Sequence, residues 1–201
     1  MALTIDMRVA ELLMARLCHD FAGPIAAIGN GAELLDDDDP GFVKQAAALI
    51  GDSAETAAKR LQFFRFVFGF NAGAMAGPAP HTLASEYLRG AIACEYPETA
   101  KQLEVPLQRL ACALLLVASE ALPRGGKLTV TAGPTITAAG EGTGPSAEAR
   151  DALTLTAPVE ALSSRTIGAY FAGLLARGLG RRVNVGVEPG GFRLSCEPDA
   201  T

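Results

Sequence analysis

Apolar or small residues recur every three or four positions at Ala10, Leu13, Leu17, Phe21, Pro24, Ile28, Ala32 and Leu35, and again at Val43, Ala46, Ile50, Ser53, Ala57, Leu61, Phe64 and Phe68. That spacing draws one stripe down an α-helix, so the chain opens with two long helices. Four aspartates at 36–39, then Pro40 and Gly41, interrupt the stripe. So short a break forces the second helix back along the first as a hairpin. The aspartates have a plain structural use there, since carboxylates ahead of a helix complement its dipole and solvate the turn.

Two helices cannot bury each other's stripes completely, and the second carries Phe63, Phe64, Phe66, Phe68 and Phe70 near its end. Something further must cover them. The economical solution is a second copy of the hairpin, giving an intermolecular four-helix bundle with two-fold symmetry. The alternative packs the hairpin on the rest of the same chain.

Glycine, alanine and proline dominate 71–80, which marks a linker between a hairpin domain at 1–70 and a second domain at 81–201. In the second domain the pattern predicts helices over 83–93, 106–122 and 165–177. Strands are predicted over 127–132, 152–156, 183–187 and 192–196, the last two as a hairpin around Pro-Gly-Gly. The fold class is therefore α+β, an α/β sandwich with helices on one face of a mostly antiparallel sheet. With 49% hydrophobic residues the chain can build a real core.

Several function classes are disfavoured. The longest unbroken apolar run, 110–118, falls far short of the roughly 18 residues of a membrane span. Acids stand among the first apolar residues where a secretory signal would have none, so a cytoplasmic protein is expected. A net charge of −5 without a basic block argues against nucleic acid. Cys18, Cys94, Cys112 and Cys196 are scattered without ligand spacing, which predicts reduced thiols and no metal site.

The chain has two histidines. His81 lies beside the prolines of the linker. His19 lies within the first helix, roughly 200° around the axis from Leu17 and roughly 160° from Phe21, which turns it away from the core stripe into water. A surface histidine alone is more often inert than reactive, but its neighbours add to it. Arg16, one turn earlier, is placed to offset a phosphoryl group's charge, and Asp20 is placed to orient the ring. Pro24 costs about 3 kcal/mol inside a helix. The stripe continues through Ile28 and Leu35, which favours one kinked helix over two separate ones.

Leu17-Cys18-His19-Asp20 followed by Pro24 resembles the H-box of sensor histidine kinases. The run Asn30-Gly31-Ala32-Glu33-Leu34-Leu35 is similar to the ChpT-type histidine phosphotransferases of alphaproteobacteria. The resemblance continues in Glu120-Ala121-Leu122-Pro123-Arg124-Gly125-Gly126 and in Tyr170-Phe171-Ala172-Gly173-Leu174-Leu175-Ala176-Arg177, so it covers most of the chain. It implies that the second domain is a degenerate histidine-kinase ATPase domain. Val117 stands where a kinase carries its magnesium-binding asparagine, and 114–119 has no asparagine at all. Gly140-Glu141-Gly142-Thr143-Gly144 lacks the aspartate of an adenine-binding segment and reads as a turn.

What the resemblance implies is a phosphorelay intermediate that uses no ATP or other cofactor, magnesium being supplied by the partner. His19 would accept a phosphoryl group from the receiver domain of a hybrid histidine kinase and pass it to response regulators of the CtrA or CpdR type. The receiver would lay a helix beside His19, where Ala15, Ala22, Gly23 and Ala26 allow close approach. Gly23, four residues after the histidine, lacks the side chain found in kinases that hydrolyse their partner's phosphoryl-aspartate, so little phosphatase activity is expected. Two other classes remain open: a non-catalytic dimeric adaptor for receiver domains, and an active histidine kinase.

Overall fold

A computed structural model describes residues 6–69, 77–90, 92–131, 133–141 and 144–199. Phe70, most of the expected linker, Ala132 and the central part of the glycine-rich turn lie outside the described residues.

Helix α1 (Met7–Glu33) runs unbroken through Pro24 and ends in a 3-10 turn (Leu34–Asp36). Helix α2 (Pro40–Phe68) starts with proline in its first turn, where no backbone donor is missed, and the Asp39 carboxylate accepts from the Gly41 N–H at 2.7 Å. The last of the four aspartates is thus a helix cap. The two helices lie antiparallel, and Gly31 sets how closely they approach, because a Cβ there would stand 2.7 Å from Ile50 Cγ1.

The lower end of the hairpin enters the core of the sheet domain. Phe63, Phe64, Phe66 and Val67 are buried. Phe63 stacks on Tyr87 with centroids 4.2 Å apart, Phe64 meets Phe21 edge-on at 6.0 Å, and Phe68 meets Phe171 at 5.0 Å. The expectation that a second copy covers the described phenylalanines is corrected here, because their own chain does so. Two arginines lock the junction. Arg109 Nε donates to the Val67 carbonyl at the end of α2, and the Arg8 guanidinium donates to the carbonyls of Val159, Glu160 and Leu162.

Beyond α2 come α3 (Pro80–Tyr87), β1 (Ile92–Glu95), α4 (Glu98–Lys101), α5 (Val105–Glu120), β2 (Gly126–Thr131), β3 (Thr135–Ala139), α6 (Ala147–Leu153), α7 (Ile167–Gly178), β4 (Arg181–Glu188) and β5 (Gly191–Pro198). The sheet order is β1-β2-β3-β5-β4, with only β1 and β2 parallel. One face carries Leu128, Val130, Ile136, Ala138, Phe192 and Leu194, all buried, and register brings Ile136 opposite both Val130 and Leu194. Helices cover that face. Helix α5 is buried continuously from Leu110 to Ala118 because the sheet, the hairpin and α7 enclose it.

Several segments depart from the sequence expectation. The helix over 83–93 ends at Tyr87, and Gly90, at a φ of +105° that suits glycine alone, redirects the chain into strand β1. The segment 152–156 is the end of α6 and a following turn: the Ser146 side chain caps that helix by accepting from the Ala149 N–H, and Gly173 lets α7 approach the Leu153 carbonyl. Strand β3 had no counterpart in the periodicity.

Because Phe63 is fully enclosed at the junction, Phe63→Ala should destabilise the whole protein by about 3–5 kcal/mol, measured as a fall in the urea midpoint of a single unfolding transition.

Candidate active site

Leu13, Leu17 and Phe21 turn toward the core, and that fixes the rotation of α1. His19 consequently faces water, with 84% of its side chain accessible. Ala15, Ala22, Gly23 and Ala26 are all exposed around it, and a Cβ added at Gly23 would meet nothing within 4 Å. The histidine therefore stands on a smooth helix surface that another helix could approach closely.

Asp20 turns back from this surface. Its Oδ1 lies 3.4 Å from His19 Nδ1, while its Oδ2 accepts from Arg16 Nε at 2.7 Å. Arg16 Nη2 donates to Glu120 Oε1 at the end of α5. Arg16, expected from the sequence to meet a phosphoryl group, is thus largely buried and committed to two carboxylates. Burial works against its charge, but Glu120 and Asp20 outweigh that and hold its pKa above the ordinary arginine value. Arg60, on α2, donates from Nη1 to the Asp20 backbone carbonyl. Tyr87 lies beneath this cluster, where burial and then the Asp20 charge push its phenol up to about 12 and keep it neutral.

A cleft of about 600 Å³ opens beside His19 and Asp20. Its far wall is Ser146 and Ala149 at the start of α6 and Ser164, Arg165 and Thr166 ahead of α7; its floor includes Val117 and Glu120 on α5. Val117 contributes an apolar side chain to that lining. Among the described residues no group of three or more His, Cys, Asp or Glu is arranged to hold a metal ion.

The structure brings His19, Arg16 and Asp20 together and sets Ala15, Ala22, Gly23 and Ala26 on the histidine's own surface. His81 is remote from them, its ring 6.0 Å from that of Tyr96. Sequence reasoning missed Glu120, Arg60 and Arg165. No local pattern marks them, because Glu120 meets its partner across 104 positions and Arg60 across 40.

Comparison with known proteins bears on the sheet domain and on the fold as a whole. Residues 80–190 match the family model described as the histidine phosphotransferase C-terminal domain. The protein phosphotransferase ChpT of Brucella abortus (strain 2308) is 40% identical over 132 residues, which are 61% of this chain and 59% of that protein. The chain therefore matches about three fifths of that relative's length. A solved bacterial phosphotransferase superposes with a TM-score of 0.77 at 28% identity, covering 98% of each chain, hairpin included.

Removing the central cation should cost more than removing either carboxylate. Arg16→Met leaves Asp20 and Glu120 without their shared partner and should lower stability by roughly 3 kcal/mol, whereas Glu120→Gln should cost roughly 1 kcal/mol. The double variant should lose less than the sum of the two single losses, a coupling read from urea unfolding of all four proteins.

Proposed function

The chain belongs to the histidine phosphotransferase family, and from that premise we propose that His19 is the phosphoryl carrier of a phosphorelay. The observation that carries the reading is the solvent-facing imidazole with Nδ1 turned to Asp20. A proton held on Nδ1 by that carboxylate leaves the Nε2 lone pair pointing outward, the tautomer that a nucleophile needs. Nε2 attacks the phosphorus of a receiver's phosphoryl-aspartate, the P–O bond to the aspartyl carboxylate breaks, and that carboxylate leaves as the phosphoryl-histidine forms. Transfer onward is the reverse reaction at a second receiver.

Such an exchange needs positioning and charge neutralisation more than covalent help. The receiver's own magnesium and lysine supply most of the charge, and Val117 gives this chain no ligand for a nucleotide-bound metal. The receiver lays a helix along Ala15, Ala22, Gly23 and Ala26 and reaches over the cleft, where Arg165 is exposed and makes no salt bridge among the described residues. The donor is the receiver domain of a hybrid histidine kinase, and the acceptors are response regulators of the CtrA or CpdR type. Such partners place the protein in the cytoplasm; among the described residues no helix is long and apolar enough to cross a membrane. Gly23 offers no side chain to position a hydrolytic water, so phosphatase activity is low.

The free end of the hairpin keeps Leu34, Leu35, Phe42 and Leu49 exposed, although Phe63, Phe64 and Phe66 at its other end are buried. Two copies packing these residues together form the intermolecular four-helix bundle and present two His19 surfaces outward. In this arrangement 1–70 serves dimerisation and transfer, and 81–201 braces the histidine helix.

A radiolabelled phosphoryl-receiver mixed with wild type should place acid-labile, base-stable label on the protein, and His19→Gln should reduce that label at least about 1000-fold. No label on wild type would identify a non-catalytic adaptor, and labelling from ATP alone would identify a kinase. In sedimentation at micromolar concentration the wild type should run as a dimer and Phe42→Ser/Leu49→Ser as a monomer.

A further inference from the structure

Pro24 creates a local defect next to the histidine. In an α-helix the carbonyl of residue i accepts from the N–H of residue i+4. Residue 24 has no N–H, so the Asp20 carbonyl, one residue from His19, lacks its regular α-helical donor. That carbonyl is the one to which Arg60 donates from the opposite helix. Arg60 is half-buried, and among the described residues it forms no salt bridge. Its guanidinium is therefore committed to a backbone oxygen, where a buried cation would ordinarily be matched with a carboxylate.

We propose that Arg60 is a positioning residue for His19: it supplies the donor that Pro24 withholds and pins the α1 backbone at Asp20 to α2. The inference rests on the reading of His19 as phosphoryl carrier. Asp20 is then gripped twice, by Arg16 through its side chain and by Arg60 through its backbone. The first grip leads to α5 and the second to α2, so the residue that orients the imidazole is fixed against two separate elements. In-line attack tolerates little misplacement, and a shift of about 1 Å in a reacting group can cost 100-fold in rate. The proline is useful in this arrangement because it leaves the carbonyl free to be held from the side.

A cycle of four proteins tests this: wild type, Arg60→Met, Pro24→Ala and the double variant. Arg60→Met should slow label transfer at saturating receiver about tenfold while receiver affinity changes less than about twofold, because aim is lost and the docking surface is intact. Pro24→Ala restores an amide at position 24, so in that background Arg60→Met should change the rate by less than about twofold. Arg60→Lys should keep most of the wild-type rate, since an ammonium can also donate to the carbonyl. An equal loss in both backgrounds, or no loss in either, would overturn the proposal. If Arg60→Met does not fold, folding of the double variant supports it and failure of both overturns it. The 13C resonance of the Asp20 carbonyl gives a readout that needs no phosphoryl group. It should move on Arg60→Met in the wild-type background and stay in place on the same change in Pro24→Ala. If wild type takes no label, the carrier reading fails, and this resonance alone decides whether Arg60 holds the carbonyl.

Discussion

A guanidinium taken out of water must be matched by negative charge, and Arg16 meets that demand with one carboxylate from its own helix and one from the other half of the molecule. This ties the register of α1 to the end of α5. Were the helix to turn or slide by one residue, Arg16 would lose Glu120 and the core stripe would lose Leu13, Leu17 and Phe21. The histidine's outward aim therefore follows from two independent constraints, one electrostatic and one apolar. Arg16 is matched by Asp20 and Glu120, while Arg60 donates to the Asp20 backbone carbonyl. Both guanidiniums are thus engaged within the protein, and the exposed cation lining the cleft is Arg165.

Features whose cause is local were legible in the sequence. The two stripes fixed the hairpin, and the same phase that placed Leu17 inward placed His19 outward. Helices α5 and α7, strand β2 and the β4–β5 hairpin each carried a periodic pattern or a turn signature of their own. Strand β1 was hidden because four residues after a glycine are too few to establish alternation, and the stripe of α3 runs into them. The segment 152–156 was misread because five residues alternating at a helix end look like a short strand until the Ser146 cap is weighed.

The covering of the phenylalanines was unreadable for a different reason. The stripe says that Phe64 must be buried, but not by what, and Phe63 lies off the stripe and is buried all the same. Tyr87 and Phe171, which do much of it, lie in segments whose own patterns say nothing of the hairpin. Glu120 and Arg60 belong to the same class, since a salt bridge or a side chain reaching a backbone oxygen leaves no trace in spacing. The candidate site was therefore half visible: its histidine and neighbours lie on one helix and could be read, while the residues that hold them come from elsewhere.

The division of labour between the two halves follows from these contacts. Without the sheet domain the lower hairpin would expose Phe63, Phe64, Phe66 and Val67, a patch that isolated soluble helices do not tolerate. Without α5 there would be no Glu120 to hold Arg16, and without the segment ahead of α7 there would be no second wall to the cleft. Each of these uses depends on where α5 and α7 end and not on what the sheet domain binds. The sheet domain thus holds the histidine helix in place through Glu120 and the core it shares with Leu13, Leu17 and Phe21. What it provides is a rigid support, buried through nine successive positions of α5, against which one exposed ring keeps a single direction.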